Sequence, residues 1–435
     1  MRTTILAVVL LALLSSLATG QNHNTGWFVP GYKHLHHATM SGTVTSIAFG
    51  TSYCYAGIMN WDNKTALAFD YSTASIMKVD PNSLTVLGTF FTDPSLTSSS
   101  SVYDMDFDSN GDLFFGCSYT SPGRGVYKIG HNTLALTTVI SASSSTMPFY
   151  YSENLSIDID SGELLIADDN SSTNDMVYLL NRDGSTHTSL GNYFNFRYGT
   201  YKHILTGDIY SGTCCGSSLS TGRSILWLQG GSGTATTFLN HPVLRGGYAP
   251  CPDRASAAAQ QLVTPSWRTT STTGSDGIWK VNLASKTATK LATISTGNTL
   301  KAVPVWGRNL QSVNTGTGTW DLRLSFPTLK NQGFVVAVGM SGVRPYITLP
   351  DKRNIPLTFD TLAMLSLTTG LAPFITGNIG TLDGNGEAVV KIDVSSIGKV
   401  LNGFVIHFCG AVLDPAAPLG LAVIADPKAL VIEGM

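Results

Sequence analysis

Three short stretches concentrate side chains with which a β protein could bind or transform a ligand: FYYSEN (149–154), RYGTYKH (197–203) and VTPSWRT (263–269). Tyr151, Tyr201 and Trp267 offer flat apolar faces for sugars or other planar groups, while Glu153, Asn154, His203 and Arg268 can fix orientation by hydrogen bonding. Glu153 or His203 could also move protons as acid or base. Glu153 and Asn154 are adjacent, and neighbouring residues of a strand face opposite ways, so both reach one ligand only where the backbone bends. The opposing reading packs the rings in a β core and uses the polar groups as caps on strand ends.

A fourth stretch, DMDFDSNGD (104–112), places Asp106, Asp108, Asn110 and Asp112 at alternate positions, as at the start of a loop whose oxygens wrap Ca2+. The bidentate Glu that completes such a loop is missing, because the twelfth position counted from Asp106 is Cys117. The equivalent place in LSIDIDSGELLIADD (155–169) is a plain hairpin. A structural β-turn and no cofactor are therefore expected, with a Ca2+ site as the alternative. No G-x-S-x-G elbow, H-E-x-x-H or paired-cysteine redox motif occurs.

The elements that must carry these residues repeat. SIMKVDPNSLTVLG (75–88), GVYKIGHNTLALTT (125–138), MVYLLNRDGSTHTSL (176–190), SILWLQGGSGTATTF (224–238) and GIWKVNLASKTATKL (277–291) share a branched residue at Ile76, Val126, Val177, Ile225 and Ile278. The spacings are 50, 51, 48 and 53 residues, a period that marks a repeat architecture. Each copy alternates across a turn as a two-stranded unit does, and a second hairpin precedes two of them, with glycines Gly111 and Gly162 at the turns. Four antiparallel strands per period describe a β-propeller, whose ring closure leaves only short edges. Five blades are expected from the copies, with six as the alternative. NTLKAVPVWG (298–307) should close the ring against the N-terminal segment.

IMKVDPNSLTVLG and IWKVNLASKTATKL resemble bacterial exported propeller repeats of the lyrvD-x-x-T-G-x-x-T-x-iG kind, over roughly residues 40 to 310. The resemblance implies a propeller and leaves activity open, since such propellers serve as binding scaffolds, lactonases and lyases. A lactonase-like protein would use Asn154 to hold a divalent cation. In either case the channel mouth is the expected ligand site.

Past Asn314, TWDLRLSFP puts Trp320, Leu322, Leu324 and Phe326 on one face, and VVKIDV (389–394) repeats the pattern. About seven such strands with no helical period predict a β-sandwich. The ending GFVIHFCGAVLDPAAPLGLAVIADPKALVIE resembles an all-β module found at the C-terminus of many secreted bacterial proteins, which implies export and no chemistry. The expected organisation is all-β: residues 1–20 a signal peptide, 21–40 an N-terminal segment, 41–310 a β-propeller and 315–435 a β-sandwich. NHNTGWFVPGYKHLHH, beside the cleavage site, is expected to be a solvated, loosely packed terminus.

The start, MRTTILAVVLLALLSSLATGQ, has the basic residue, ten-residue apolar core and small residues of a secretory signal, and that core is too short to span a bilayer. Secretion to the extracellular space or cell surface is expected, with the periplasm as the alternative and no membrane span in the mature chain. Charged residues make up 12% of the chain, against about 25% in an average soluble protein. Net charge −2 without a basic run excludes nucleic acid as a partner. Cys54, Cys117, Cys214, Cys215, Cys251 and Cys409 permit disulfides without specifying a framework. The functional expectation is a non-enzymatic scaffold for a glycan or protein at the cell surface, against a propeller hydrolase or lyase and against a structural envelope component.

Overall fold

The computed structural model describes residues 26–435 except 51–53, 55, 98–99, 101, 118–122, 142–151, 169–174, 194–195, 214–223, 242–250, 253–260, 267–276, 295–300, 306–308, 352, 369–370 and 434. The expected signal peptide lies outside the described residues. Two compact units emerge, one comprising Asn24–Asp158 and Gly162–Gly307, the other built on Arg308–Met435. Among the described residues no helix is long and apolar enough to cross a membrane.

The first unit is a β-propeller made of antiparallel sheets, numbered here I to VI. Sheets II to VI each hold a four-stranded antiparallel meander whose innermost strands are Gly57–Met59, Val102–Phe107, Ser152–Ile157, Phe196–Lys202 and Cys251–Pro252, and sheet IV gains a fifth, parallel strand, Gly233–Thr234, from the segment between the last two strands of sheet V. Sheet I is assembled from both ends of the unit, in the order Val303–Pro304, Gly26–Gly31, His34–Thr39, Val44–Ala48. Two residue pairs, Trp27 with Pro304 and Phe28 with Val303, join the ends. Sheets II to VI each carry one copy of the repeated motif, and sheet I carries none.

Every copy of the motif forms the third and fourth strands of its sheet, and its residue types have a geometric cause. A β-bulge follows the branched residue in all five copies, at Ile76/Met77, Val126/Tyr127, Val177/Tyr178, Ile225/Leu226 and Ile278/Trp279. The bulge brings the fourth strand against the residue before it. A Cβ on Gly125 would lie 2.3 Å from the Ile140 carbonyl, and one on Gly277 would lie 1.9 Å from that of Ala292. In sheets III and VI glycine is needed there for that reason, whereas Met176 holds the corresponding place in sheet IV.

The motif also fills the space between sheets. Val126 packs toward sheet IV with Leu155 and Ile166, whereas Tyr127 packs toward sheet II with Phe69 and Ile76. Ile278 likewise joins Trp27 and Val29 of sheet I, and Trp279 joins Tyr210 and Phe238 of sheet V. Apolar clusters of this kind lie between each pair of consecutive sheets, including sheet I with sheet II through Phe28, Leu35, Met59 and Val79. Each buried large side chain contributes about 1.5–3 kcal/mol relative to exposure.

The N-terminal stretch expected to be loosely packed is instead the middle of sheet I. Gly26–Gly31 is buried throughout, as are Leu35, His36, His37 and Ala38. Three histidines in six residues look soluble, but a strand's burial is decided by its neighbours, here sheets VI and II.

Among the described residues the second unit has two large sheets, Leu310–Gly316, Thr319–Ser325, Glu387–Asp393 and Ile375–Thr376 in one, and Ile379–Thr381, Gly333–Gly339, Val405–Leu413 and Leu421–Ile424 in the other, with Lys428–Val431 also on Val405–Leu413, and a two-stranded sheet of Ile347–Thr348 and Asn354–Ile355. Trp320, Leu322, Leu324 and Phe326 share its core with Phe334, Val390 and Phe408, on the face the alternation predicts. A helix, Thr361–Thr368, corrects the expectation of none; its Ala363 packs with Ala337, Leu357 and Cys409.

Candidate functional site

The inner strands of sheets III, IV and V run side by side in the same direction. The Ile157 amide donates to Asp106 Oδ2 at 2.9 Å, Ser156 Oγ donates to the Thr200 carbonyl at 3.4 Å, and Lys202 pairs with Asp158 at 2.7 Å. The pairings 156 with 200 and 158 with 202 fix the level of each residue along the channel axis. Asn154 stands at the leading end of its strand, level with Tyr198, whereas His203 follows the trailing end of the next strand. At roughly 3.3 Å per residue, the five residues between those levels separate Asn154 and His203 by about 16 Å along the axis.

The sequence-derived site therefore divides. Asn154 is buried at the leading end, and Glu153 lies beside it in the strand. A β-bulge between Ser152 and Asn154 interrupts the alternation there, the backbone bend that two adjacent residues need to serve one ligand. His203 is a turn residue instead: its Nδ1 lies 3.1 Å from Thr206 Oγ1 and accepts the Thr206 amide at 3.2 Å. Tyr201 packs with the cluster of Tyr210, Ile225 and Phe238, its ring edge-on to His203. These two residues follow the core-and-cap reading. Tyr151, Trp267 and Arg268 lie outside the described residues, as do Cys214, Cys215 and Asn170, which with Asn63 and Asn154 makes up the three N-x-S/T consensus acceptors for glycosylation.

Beside Asn154 the leading end holds a pair that sequence reasoning missed. Lys301, just before the closing strand, forms an ion pair with Asp104 of the inner strand of sheet III, and its Nζ donates to the Met105 carbonyl at 3.3 Å. The two are 197 positions apart, and no local pattern links them. Burial pushes the Asp104 carboxyl above the ordinary aspartate range, against the pull of the Lys301 ammonium.

The acidic turn DMDFDSNGD organises backbone. Asp108 Oδ1 accepts the amides of Asn110 and Asp112 at 2.8 and 2.9 Å, and its Oδ2 pairs with Arg182 of sheet IV at 2.9 Å. Asp112 accepts the His131 amide at 2.8 Å and pairs with Lys128 at 3.2 Å. Asp106 binds the amides of Phe107 and Ile157. These oxygens are directed to separate cations and amides. Among the described residues, no group of three or more His, Cys, Asp or Glu is arranged to hold a metal.

Cys54, Cys117 and Cys409 are buried, and burial raises the pKa of Cys54 and Cys409. Of the glycosylation acceptors, Asn63 and Asn154 are buried.

No family model matches the sequence, and no curated protein matches it. Solved structures do resemble the fold. One from a nidogen/laminin complex is 11% identical, covering 64% of this chain and 97% of that one, with a TM-score of 0.48. TolB from Acinetobacter baumannii is 11% identical, over 64% of this chain and 65% of that one, with a TM-score of 0.43. A gluconolactonase from Xanthomonas campestris is 10% identical, over 68% and 91%, with a TM-score of 0.41. All three are β-propeller proteins, and at this identity the likeness is one of fold.

Proposed function

We propose that this chain is an exported binding or interaction scaffold, with its ligand, a glycan or a protein, held at the leading ends of the inner strands. The observation that carries this reading is the commitment of the polar groups around the channel. Asp104, Asp106, Asp108 and Asp158 each hold a cation or amide of another sheet, and His203 holds its own turn. Groups fixed in this way make a stiff frame around an opening and are poorly placed to exchange protons with a substrate. Glu153 and Asn154 at that end would supply recognition, with Tyr151, Trp267 and Arg268 as the further residues that the sequence offers for it. A glycan array read with the full chain and with Trp267→Ala tests this: specific binding lost in a variant that keeps its β circular dichroism supports it. A wild-type chain that binds neither glycans nor any exported protein by cross-linking on intact cells would refute it.

A second reading, a hydrolase or lyase with a divalent cation, draws on the bulge at Ser152–Asn154, which allows Glu153 and Asn154 to serve one ion. A stoichiometric divalent ion in purified protein, lost in Glu153→Ala, would favour it over the scaffold.

A further inference from the structure

We propose that sheet I is an acid-operated latch: protonation of His36 and His37 detaches it from both neighbouring sheets and opens the propeller ring. This goes beyond ligand binding and rests on a different part of the unit.

Three features of sheet I combine. First, among the described residues its ring-closing ladder is short: the pairs Trp27 with Pro304 and Phe28 with Val303, and the Val305 amide donating to the Gly26 carbonyl at 2.9 Å. Second, its middle strand His34–Thr39 buries imidazoles on both faces. His36 lies opposite Val29 and Ser46, on the face that packs with Trp27, Ala38, Val263 and Ile278 of the interface with sheet VI. His37 lies opposite Phe28 and Thr45, on the Leu35 face toward sheet II, and its Nε2 sits over Gly26, where a Cβ would approach to 2.7 Å. Third, Nε2 of His36 and Nε2 of His37 are both buried without a hydrogen-bond partner, and so is the indole nitrogen of Trp27 on the His36 face. A neutral ring tolerates an unpartnered nitrogen; an imidazolium, with two N–H donors and a charge, does not.

The surroundings supply little compensation. On the side of sheet VI, His36 has the stacked ring of His34, 5.9 Å away, the hydroxyl of exposed Ser46 at 2.7 Å from Nδ1, and Lys290, which lines the same cleft as Ser46. The two charged or chargeable groups there are both basic and disfavour a second positive charge. On the side of sheet II, Asp80 favours His37 protonation, while the buried thiol of Cys54 stays neutral. Asp70, also of sheet II, is committed to Ser72 and Thr73. Burial lowers both imidazoles, His36 to about 4 from 6.5.

The sign follows from linkage. The detached or unfolded strand binds protons with an ordinary histidine pKa, whereas the closed sheet does not, so acid favours the open form. For His36 alone, the equilibrium shifts toward the open form by about tenfold per pH unit between 6.5 and 4, some two to three orders of magnitude in all. His37 adds in the same direction.

Hydrogen exchange on the full chain at pH 7.5, 5.5 and 4.5, corrected for intrinsic rates, tests the latch. Amides of Gly26–Thr39 should lose protection as pH falls while those of Leu164–Asp168 in sheet IV keep theirs. His36→Asn/His37→Asn, which retains a polar partner for Ser46 and cannot be charged, should remain closed at pH 4.5. Equal protection of sheets I and IV in the wild type at pH 4.5 overturns the proposal, as does an unchanged acid response in the double variant. Should that variant not fold, proton titration of the wild-type imidazoles decides: an ordinary His36 pKa near 6.5 with sheet I still protected refutes the latch, and a neutral His36 down to the pH at which protection fails supports it.

Discussion

Sheets II to VI and sheet I do the same geometric work with different means. In the former, four consecutive strands build the sheet, and a bulge after Ile76, Val126, Val177, Ile225 or Ile278 tilts the outer strand. In the latter, three strands from one end of the unit meet a two-residue strand from the other, without the motif. Local assembly leaves a record in the sequence and forms without waiting for distant chain. Assembly from two ends leaves only a faint record, the strand pattern of NTLKAVPVWG, and its cohesion comes from a short backbone ladder and the side chains packed on it. The repeat-bearing sheets are thus the rigid part of the ring and sheet I its breakable part.

The largest effect should come where sheet I is most dependent on packing. Trp27 is fully buried between sheets I and VI, against Val263 and Ile278. Trp27→Ala should lower the stability of the propeller unit by about 3–5 kcal/mol, measured by urea unfolding followed by circular dichroism. A loss under about 1 kcal/mol would mean that the ring does not need this sheet.

Next in size is a test of a link between two repeat-bearing sheets. Arg182, in the third-to-fourth-strand turn of sheet IV, binds Asp108 and Ser109 of sheet III, and both charged side chains are almost wholly buried. Arg182→Met strands a buried carboxylate that still accepts two amides, and should cost about 3 kcal/mol. Arg182→Met/Asp108→Asn should recover part of this, because the uncompensated charge is gone. If the double variant were as unstable as the single one, packing of the arginine stem and not its charge would hold the sheets together.

What was legible in the sequence follows the same division. The motif copies showed the third and fourth strands of five sheets, because strands and turn are contiguous there and the branched residue and ring recur for packing reasons. Sheet I was legible in part: NTLKAVPVWG reads as a strand that closes the ring against the N-terminal segment, as Val303–Pro304 does, but HLHH carries the composition of a solvated segment, and its burial is imposed by sheets that come later in the chain. For the candidate site, RYGTYKH occupies most of an inner strand. Bulges between Phe196 and Tyr198 and between Tyr198 and Thr200 erase the alternation that would have given its register. The pairing of Asp104 with Lys301 is a consequence of ring closure, which no window of sequence contains.

A smaller change probes the small residue before the bulge. Gly277 has φ +138° and leaves no room for a Cβ beneath the Ala292 carbonyl, while Ser75 and Ser224 occupy the corresponding place in sheets II and V. Gly277→Ala should therefore cost about 1–3 kcal/mol in urea unfolding, and Ser75→Ala much less. Equal costs would show that the position requires a small residue for reasons other than the approach of the fourth strand.

The smallest effect should be a gain. The turn between the third and fourth strands needs one residue in the left-handed region, and the copies fill it differently: Leu84 at φ 62°, Leu134 at 48°, Gly184 at 76° and Lys286 at 52°. Leu84 is fully buried and so has a packing reason to be a leucine, but Leu134 is half exposed. Its turn is otherwise that of Leu84, with the Leu134 amide donating to the Gly130 carbonyl at 2.8 Å and the Leu84 amide to Asp80 at 2.8 Å. The left-handed conformation costs an L-residue about 1–2 kcal/mol, and glycine returns part of that gain through the greater freedom of its unfolded chain. Leu134→Gly should therefore stabilise the propeller unit by about 0.5–1 kcal/mol, read as a rise in the urea midpoint at unchanged slope. A loss of stability instead would mean that the exposed leucine packs on something beyond its own sheet, and the repeat-bearing part of the ring would then carry a contact surface at this turn.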